Sequence, residues 1–360
     1  MSSSHAVFHP LTVAAIEPLT DDAVAITFDV PEDLRDDYDF TQGQHLTIRT
    51  TLAGDDVRRN YSICSPAGSG VLRIGVKRLP GGAFSEHALD QLQVGDVLDV
   101  MTPTGRFFTE LDPARERSYV LVAAGSGITP VLSLAATTLA VEPRSRVTLI
   151  YANRTHATVM FLDEVEDLKD RYPDRFRLIH VLSREPQEVE LFSGRLDVPR
   201  MQRLLDTLVP PSDVDEWFLC GPYDMVATLR KLLVAEGVSK RSIHAEVFHV
   251  EPGSAPRRTP ASAVAAPGGA EVTISLDGRR SSFPLPPDGP PVLEAALAVR
   301  PDAPFACKGG VCGTCRAKVL EGSVSMETNY ALEPDEVERG YVLTCQSHPT
   351  SDRVVLDYDA

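Results

Sequence analysis

Apolar and polar positions alternate in short runs through the first third of the chain. The runs between His9 and Asp112 are LTVAAI, AVAITFDV, HLTIRTT, YSICS, VLRIGVKR and VLDVMTP, and turn-forming residues separate them. Alternation over about four to eight residues is typical of strands with one buried face. Because these strands are short and regularly spaced, residues 5–112 are predicted to form an antiparallel β-barrel domain.

From about Arg117 the pattern changes to continuous apolar runs. SYVLVAAG, VTLIYAN, FRLIHVL and EWFLCG lack polar alternation, which is typical of strands buried on both faces of a sheet. Between them apolar residues recur at helical spacing, as at Phe161, Val165, Leu168 and Tyr172. Since strand and helix alternate, residues 113–250 are predicted to form an α/β domain with a parallel sheet.

A segment without apolar periodicity follows at residues 251–270. Its sequence, EPGSAPRRTPASAVAAPGGA, is rich in Pro, Ala, Gly and Ser, which predicts a flexible linker. After it, an Asp277-Gly278 turn between alternating runs predicts a β-hairpin. Further elements are expected at residues 292–299 (a helix), 316–320 and 353–358 (strands). Residues 271–360 are therefore predicted to form a small α+β module of the β-grasp type, which makes the fold class multidomain.

Four of the six cysteines lie in this last module. Cys307, Cys312 and Cys315 have the spacing C-x4-C-x2-C, and Cys345 follows after 29 intervening residues. This is the plant-type spacing for a [2Fe-2S] cluster. Glycines between the cysteines let the chain wrap with positive φ and bring backbone N–H groups close to sulfur. A zinc site, which usually takes paired C-x2-C knuckles, and disulfides are the two alternatives.

Charge and composition narrow the choice of partner and compartment. The formal net charge is −16, which argues against nucleic acid as a partner. There is no run of eighteen apolar residues and no apolar stretch within residues 1–10, so neither a membrane span nor a signal peptide is expected. A cytoplasmic protein is therefore expected. In that compartment thiols stay reduced unless they bind metal, which argues against disulfides.

The first strand of the predicted parallel sheet runs into AAGSGITP. Gly125 and Gly127 allow a tight turn, so that backbone N–H groups at the start of the next helix approach a pyrophosphate. Pro130 suits the first helical turn. The third glycine of the dinucleotide fingerprint is absent, and Asn153-Arg154 end the second strand where an acidic residue is usual. An ordinary tight turn is therefore the open alternative.

Two motifs in the predicted barrel combine groups that bind phosphate and flat rings. In RNYS, Arg59 offers a fork for phosphate, Tyr61 a ring for stacking and Ser62 a hydroxyl for a ring nitrogen. In GGAFS, Gly81 and Gly82 precede a short helix whose first N–H groups form an anion cradle. Each motif alone is equally compatible with a polar strand end and a loop.

Taken together, these motifs resemble the ferredoxin-NADP reductase superfamily with a C-terminal plant-type ferredoxin domain, and the resemblance covers nearly the whole chain. It rests also on Cys220-Gly221-Pro222 after a later strand and on Glu246-Val247-Phe248. More narrowly, FHPLTVAAIE, RRNYSIC, CKGGVCGTC and SMETNYALEPDEVERGYVLTCQ are similar to the reductase components (E components) of ring-1,2-phenylacetyl-CoA epoxidase complexes. METNYALEPDE carries most of the narrower resemblance, because it is not a cofactor motif.

The resemblance implies FAD, a [2Fe-2S] cluster and NADPH, with NADH possible, and it implies a role for each matching residue. The FAD-binding positions would be Arg59, Tyr61, Ser62, Ile63, Lys77, Gly81, Gly82, Ser85 and Phe248. The NAD(P)H-binding positions would be Gly125, Gly127, Thr129, Pro130, Arg154, Ser183, Arg184, Gly221 and Pro222. The catalytic residues beside the reacting rings would be Tyr61, Ser62, Cys220 and Glu246. The cluster ligands would be Cys307, Cys312, Cys315 and Cys345.

The implied function is electron transfer from NADPH through FAD and the cluster to a di-iron oxygenase that epoxidises phenylacetyl-CoA in phenylacetate catabolism. No E-x-x-H pair falls on a predicted helix, as a di-iron bundle requires, so the oxygenase is expected to be a separate partner. One alternative is the same electron chain serving a ketosteroid or ring-hydroxylating oxygenase. A function of another class would be a cluster-bearing redox sensor or a zinc adaptor.

Overall fold

The described part of this computed structural model comprises residues 7–249 and 269–360. These residues form two units, one on each side of the gap. The predicted linker, residues 251–270, lies outside the described residues except for its last two positions, and Ala270 already opens a strand. Within the two described ranges, no helix is long and apolar enough to cross a membrane.

The first unit begins with the predicted antiparallel barrel. Its strands are β1 (Phe8–Thr20), β2 (Ala23–Asp29), β3 (His45–Leu52), β4 (Asp55–Ser62), β5 (Leu72–Lys77) and β6 (Val97–Met101). They pair in the order β4-β3-β6-β1-β2-β5, and a bridge between Ile63 and Ile74 joins the two ends. Helix α1 (Ala83–Asp90) lies between β5 and β6 in the chain. Ile63 is fully buried in the apolar core of this barrel.

Strand β4 differs from its sequence prediction. The run YSICS predicts a strand over residues 61–65, whereas β4 ends at Ser62 and extends back to Asp55. It turns from β3 through Ala53 and Gly54, both with positive φ (51° and 93°). The sequence of residues 55–60, DDVRRN, has no apolar alternation, so the pattern did not predict a strand there. The strand accepts these residues because it pairs along its length with β3 alone, which leaves Asp55, Asp56 and Arg59 exposed to solvent.

A parallel five-stranded sheet follows the barrel, as predicted. Its elements are β7 (Ser118–Ala124), α2 (Ile128–Val141), β8 (Arg146–Asn153), α3 (Leu162–Arg171), β9 (Phe176–Leu182), α4 (Val198–Thr207), β10 (Glu216–Pro222), α5 (Tyr223–Ala235) and β11 (Ile243–His249). The strand order is β11-β10-β7-β8-β9. The order reverses between β7 and β10, and ligands bind at the carboxyl ends of the strands at such a switch point. The periodicity did not predict β11, an edge strand in which only Ile243 of residues 243–248 is buried.

A fully buried glutamate, Glu142, links the segment between β6 and β7 to the parallel sheet. Oε2 of Glu142, just after α2, accepts hydrogen bonds from the Tyr119 hydroxyl (2.9 Å) and the Ser145 hydroxyl (2.7 Å). Its Oε1 accepts from the backbone N–H of Asp112 (3.0 Å), in the connection between β6 and β7. Three donors therefore depend on one carboxylate. If it were removed, the Tyr119 and Ser145 hydroxyls would lose the one acceptor that each has among the described residues.

Replacing Glu142 by alanine is expected to lower the free energy of unfolding by about 3 kcal/mol, because it leaves buried donors unpaired and opens a cavity. The measurement is guanidinium-induced unfolding of the holoprotein. Glu116→Ala is the control, since the Glu116 side chain is 75% exposed and its ion pair with Arg144 spans 3.8 Å. The control is expected to change stability by less than about 0.5 kcal/mol. Equal losses in the two variants would contradict the role of Glu142.

The second unit has the predicted β-grasp arrangement. Its elements are β12 (Ala270–Leu276), β13 (Arg279–Leu285), α6 (Val292–Val299), β14 (Arg316–Glu321), β15 (Val324–Met326), α7 (Pro334–Glu338), β16 (Tyr341–Leu343), β17 (Ser347–Pro349) and β18 (Arg353–Asp357). The main sheet has the order β13-β12-β18-β14-β16, with β12 and β18 parallel. The hairpin turn at Asp277-Gly278 is confirmed, with both φ values positive (54° and 68°).

Candidate functional site

Ser62, Cys220 and Glu246 meet between the barrel and the parallel sheet. Ser62 ends β4, is buried, and donates a hydrogen bond to the carboxyl group of Glu246 on β11. Glu246 lies in register beside Cys220 of β10, at the switch point of the sheet. Oε2 of Glu246 is buried and has no hydrogen-bond partner within the described part of the chain. Three of the four residues predicted as catalytic are therefore brought together from the barrel and from the parallel-sheet domain, which are the two lobes of the first unit.

Burial controls the protonation of this cluster. It raises the pKa of Glu246 from 4.5 to about 8, and the Ser62 hydrogen bond lowers that pKa only in part. Burial, with a smaller contribution from the Glu246 charge, also raises the pKa of the Cys220 thiol. Near neutral pH both groups are therefore protonated and uncharged. An enclosed carboxyl group with a pKa in this range is well suited to give up and take back a proton.

The glycine loop, Gly125–Gly127, begins beside the same cluster. Gly125 has φ +54° and opens a tight turn into α2. A Cβ atom on Gly127 would lie 2.3 Å from the carbonyl oxygen of Cys220, so only glycine permits this approach between the loop and β10. Thr129 is buried in the first turn of α2, and its hydroxyl donates to the carbonyl of Ser126 (3.1 Å). Pro130 follows Thr129 in that turn. The start of α2 thus offers backbone N–H groups at the switch point.

A second helix start, at α1, lies in the barrel. A Cβ atom on Gly82 would lie 2.9 Å from the carbonyl oxygen of Leu79, so this turn also requires glycine. The Ser85 hydroxyl accepts from the N–H of Leu79 (3.0 Å) and donates to the carbonyl of Gly82 (3.1 Å), which holds the turn in shape. The N–H of Gly81 donates to Oε1 of Glu86 (2.8 Å), so this cradle already accommodates one carboxylate. The N–H of Gly82 donates to the carbonyl of Leu79 (2.8 Å), so the anion cradle at this helix start stays a prediction.

The other barrel residues of the predicted site lie around these groups rather than within the cluster. The Tyr61 ring packs on Phe84, with ring centroids 5.4 Å apart and planes tilted by 43°. Arg59 is exposed and donates to the carbonyl of its neighbour Arg58 (2.8 Å). Lys77 ends β5, where its ammonium lies 3.4 Å from Oδ1 of Asp22. The structure therefore does not bring Arg59 or Lys77 into contact with Ser62 or Glu246.

The remaining predicted residues of the parallel sheet follow the carboxyl ends of its strands. The N–H of Ser183 donates to the carbonyl of Asn153 (2.9 Å), and that of Arg184 to the carbonyl of Arg154 (2.7 Å). These bonds join the loops after β8 and β9, and both arginine side chains are exposed. Gly221 and Pro222 end β10 and lead into α5, and Phe248 packs against the core on the α2 side of the sheet.

One close contact between the lobes was not predicted. Gly75 lies within β5 of the barrel, and a Cβ atom there would come within 2.7 Å of Cγ2 of Thr129 and 2.9 Å of Cε2 of Phe161. Gly75 therefore lets β5 approach the first turn of α2 and the start of α3. A glycine inside a strand pattern is the sequence signal that would have predicted this approach.

The four cysteines of the second unit form two hydrogen-bonded pairs, and among the described residues no group of three or more such side chains is placed to hold a single metal ion. The Cys312 thiol donates to the sulfur of Cys307, and this bond, together with N–H donors such as Gly309 (3.3 Å), lowers the pKa of Cys307 to about 5. The Cys315 thiol donates to the sulfur of Cys345 and lowers the pKa of Cys345. A [2Fe-2S] cluster takes four thiolates, two on each iron, and the paired arrangement fits that demand.

The METNY segment, residues 326–330, packs against the cysteine loop, residues 307–315, and limits its conformation. Gly310 has φ +74°, and a Cβ atom there would lie 3.0 Å from the carbonyl oxygen of Thr328. The N–H of Tyr330 donates to the carbonyl of Gly310 (3.0 Å). The segment therefore packs directly on the loop that carries three of the cysteines, although it contributes none itself.

Three family models match consecutive parts of the chain. They are an oxidoreductase FAD-binding domain over residues 10–109, an oxidoreductase NAD-binding domain over residues 121–231, and a 2Fe-2S iron-sulfur cluster binding domain over residues 274–350. Their limits follow the barrel, the parallel sheet and the second unit in that order. The chain is thus an oxidoreductase with domains for FAD, a pyridine nucleotide and an iron–sulfur cluster.

Relatives and solved structures extend the match to the full length. The E component of 1,2-phenylacetyl-CoA epoxidase from Escherichia coli is 45% identical over 98% of this chain and 98% of its own. The ferredoxin reductase component of 3-ketosteroid-9-alpha-monooxygenase from Rhodococcus rhodochrous is 33% identical over 97% and 96%. Phthalate dioxygenase reductase shares the fold with a TM-score of 0.59 at 24% identity, over 97% and 98% of the two chains. The chain therefore belongs to the family of oxygenase reductase components that includes the E component of 1,2-phenylacetyl-CoA epoxidase, within the ferredoxin-NADP reductase superfamily.

Proposed function

We propose that this chain carries electrons from NADPH, through FAD and a [2Fe-2S] cluster, to a di-iron oxygenase that epoxidises phenylacetyl-CoA in phenylacetate catabolism. The observation that carries the proposal is the meeting of Ser62, Cys220 and Glu246 where the barrel motif reaches the switch point of the parallel sheet. The choice of acceptor rests on the 45% identity to the epoxidase E component along nearly the whole chain.

The barrel residues fit FAD. The start of α1 and Arg59 would hold its pyrophosphate, because backbone N–H groups and a guanidinium fork both suit phosphate oxygens. Tyr61 would pack on the ring system, and the Ser62 hydroxyl would bind a ring nitrogen. Bound there, a flavin supplies the exchange between two-electron hydride transfer and single-electron transfer. Lys77 and Phe248 would enclose the same pocket.

The parallel-sheet residues fit a pyridine nucleotide. The glycine loop and the first turn of α2, including Thr129, would hold the pyrophosphate, because their N–H groups lie at the switch point. Gly221 and Pro222 would border the nicotinamide. Glu246 would hold a proton in the enclosed space beside Cys220, and the two lobes would exclude water from that space. The fit rests on the glycine-only approach of Gly127 to β10.

The second unit would hold the cluster through Cys307, Cys312, Cys315 and Cys345. Thiolates are the ligands that iron–sulfur clusters take, and N–H donors to sulfur tune them. Such donors already point at Cys307 from Gly309 and at Cys345 from Gly310. The thiols would stay reduced in the cytoplasm, where we place the protein.

The partner would be a separate oxygenase component. A ketosteroid monooxygenase is the second candidate acceptor, and the 33% identity to its ferredoxin reductase component supports it. The test is anaerobic titration of the purified protein with NADPH and with NADH while the flavin and cluster absorbances are followed, and then addition of each oxygenase with its substrate. We expect both chromophores to bleach and phenylacetyl-CoA turnover to start. A colourless protein, or turnover only with the ketosteroid enzyme, would overturn the proposal.

Arg184→Ala is expected to raise the KM for NADPH about tenfold and to leave that for NADH nearly unchanged, since a lost charged contact to one phosphate costs about 1.5 kcal/mol. Arg184 follows β9 at the carboxyl edge of the sheet, where a 2′-phosphate would lie. Steady-state ferricyanide reduction with each nucleotide measures both KM values. The control is Arg171→Ala, which removes another exposed arginine from the same lobe, at the end of α3. Equal changes in the KM values for NADPH and NADH would show that Arg184 does not select between the two nucleotides.

A further inference from the structure

The hydroxyl group of Tyr151 lies directly beneath the glycine loop. Tyr151 is on β8, next to β7 in the sheet, and is fully buried. Its hydroxyl lies 3.1 Å from the carbonyl oxygen of Gly125 and 3.2 Å from that of Met160. Because the hydroxyl has one proton, it donates a single bifurcated hydrogen bond shared between these two carbonyl oxygens, which belong to loops 35 positions apart in sequence.

The bond to Gly125 fixes the side of the loop that faces the sheet. The Gly125 carbonyl also accepts from the N–H of Ile128, so both of its acceptor positions are used. The other end of the loop is fixed because Gly127 packs against the Cys220 carbonyl. With both ends held, the N–H groups at the start of α2 keep one orientation. Preorganised donors bind an anion more tightly than donors that must first be ordered.

The bond to Met160 fixes the contact between the two lobes. Phe161, the next residue, has φ +55° at the start of α3, a conformation that side-chain-bearing residues adopt only when their surroundings hold them. Its ring and the Thr129 methyl group both pack on Gly75 of the barrel. The same hydroxyl therefore holds the glycine loop and the residue against which the barrel rests.

We propose that Tyr151 is a positioning residue for pyridine-nucleotide binding, and that its hydroxyl holds the glycine loop in the conformation that receives the pyrophosphate. The proposal deepens the proposed function and rests on nucleotide binding at that loop. The pyrophosphate is common to NADPH and NADH. Tyr151 therefore sets affinity for both equally, in contrast to Arg184, which selects between them.

Tyr151→Phe tests this proposal, because it removes the hydroxyl and keeps the ring. We expect the Kd values for NADP⁺ and NAD⁺ to rise by the same factor of about five, the equivalent of one hydrogen bond of about 1 kcal/mol. FAD content is expected to be unchanged, and kcat with ferricyanide at saturating NADPH is expected to change by a smaller factor than the Kd values. Isothermal titration of the holoprotein measures the Kd values, and the flavin spectrum measures the FAD content.

Tyr119→Phe is the matched control, since Tyr119 is buried on the adjacent strand β7 and its hydroxyl bonds Glu142. It is expected to lower the unfolding midpoint and to leave both Kd values unchanged. A double-mutant cycle with Gly125→Ala adds a second test: a Cβ there meets no atom within 4 Å but strains the positive φ. If the hydroxyl acts through the loop, the two changes are non-additive in Kd.

Wild-type Kd values in Tyr151→Phe, equal weakening in Tyr119→Phe, or strict additivity in the cycle would each overturn the inference. A wild-type protein that bound neither nucleotide would overturn the proposed function, and the inference with it. An effect on the Kd of NADP⁺ but not on that of NAD⁺ would also contradict the inference, since the loop would then not act through the pyrophosphate.

Discussion

Glu246→Gln is expected to slow NADPH-driven bleaching of the flavin by about 100-fold while FAD stays bound, because a positioned proton donor typically contributes at least that factor. Glutamine preserves the shape of the side chain and can still accept the hydrogen bond from Ser62. It cannot give up or take a proton. Stopped-flow absorbance under anaerobic conditions measures the bleaching rate, and the flavin absorbance of the purified variant measures FAD retention.

The pH dependence of the same variant gives an independent readout. The pKa of Glu246 is raised to about 8, so the folded protein keeps a proton that the unfolded chain releases above its ordinary pKa of 4.5. Wild-type stability is therefore expected to fall as pH rises from 4.5 through 8, and this component should be missing in Glu246→Gln. The wild-type bleaching rate should change across the same upper pH range, whereas that of the variant should not.

Glu216→Gln is the control for these measurements. Glu216 opens β10, at the other end of the sheet from Cys220, and pairs there with Arg117 (2.9 Å) and His244 (2.8 Å). This substitution should reduce stability and leave the bleaching rate within about twofold of wild type, because it touches no part of the site. Equal bleaching rates in wild type and Glu246→Gln would assign Glu246 a purely structural role.

The cysteine loop and the three-domain order could be predicted because their signals are local. Ligand spacing in the cysteine loop is fixed by the cluster, and the barrel and parallel-sheet patterns differ within a few residues of Arg117. Helix α6 lies at residues 292–299, as predicted. Edge strands were less predictable: β4 and β11 carry polar residues because each pairs fully on one side only.

Contacts between distant residues could not be derived from local pattern. Ser62 and Glu246 are 184 positions apart, and only the family resemblance indicated that both belong to one site. Tyr151 lies in the apolar run VTLIYAN, where the pattern places it in the core but does not show what its hydroxyl meets. Glu142 follows a helix as an apparently ordinary polar residue, yet it is fully buried. Hydrogen bonds of this kind depend on the assembled fold.

Cys345→Ser is expected to abolish one activity and spare another. The variant should lose the visible bands of the cluster and reduce cytochrome c at least 100-fold more slowly. NADPH-driven reduction of ferricyanide, which takes electrons from the flavin, should continue at close to the wild-type rate. The physical reason is that residues 7–249 have their own apolar cores, so their fold does not depend on a metal held by the second unit.

Cys64→Ala is the control for the loss of a thiol. Cys64 is buried in the first unit, where its thiol bonds the carbonyl of Arg73 (3.3 Å), far in sequence from the cysteine loop. This variant should keep the cluster bands and both activities, with a small loss of stability. Loss of cytochrome c reduction in both variants would indicate a general effect of removing thiols and would contradict the assignment of Cys345.

The different effects of Cys345→Ser on ferricyanide reduction and on cytochrome c reduction also discriminate between the competing functions. A zinc adaptor or a redox sensor predicts no ferricyanide reduction in the wild type, so there would be no activity for Cys345→Ser to retain. A cluster placed before the flavin predicts that both activities disappear together, because electrons would then reach the flavin only through Cys345 and its partners. If the folded variant with FAD bound loses ferricyanide reduction, the second unit is not the exit for electrons, and the order from NADPH through FAD to the cluster is wrong.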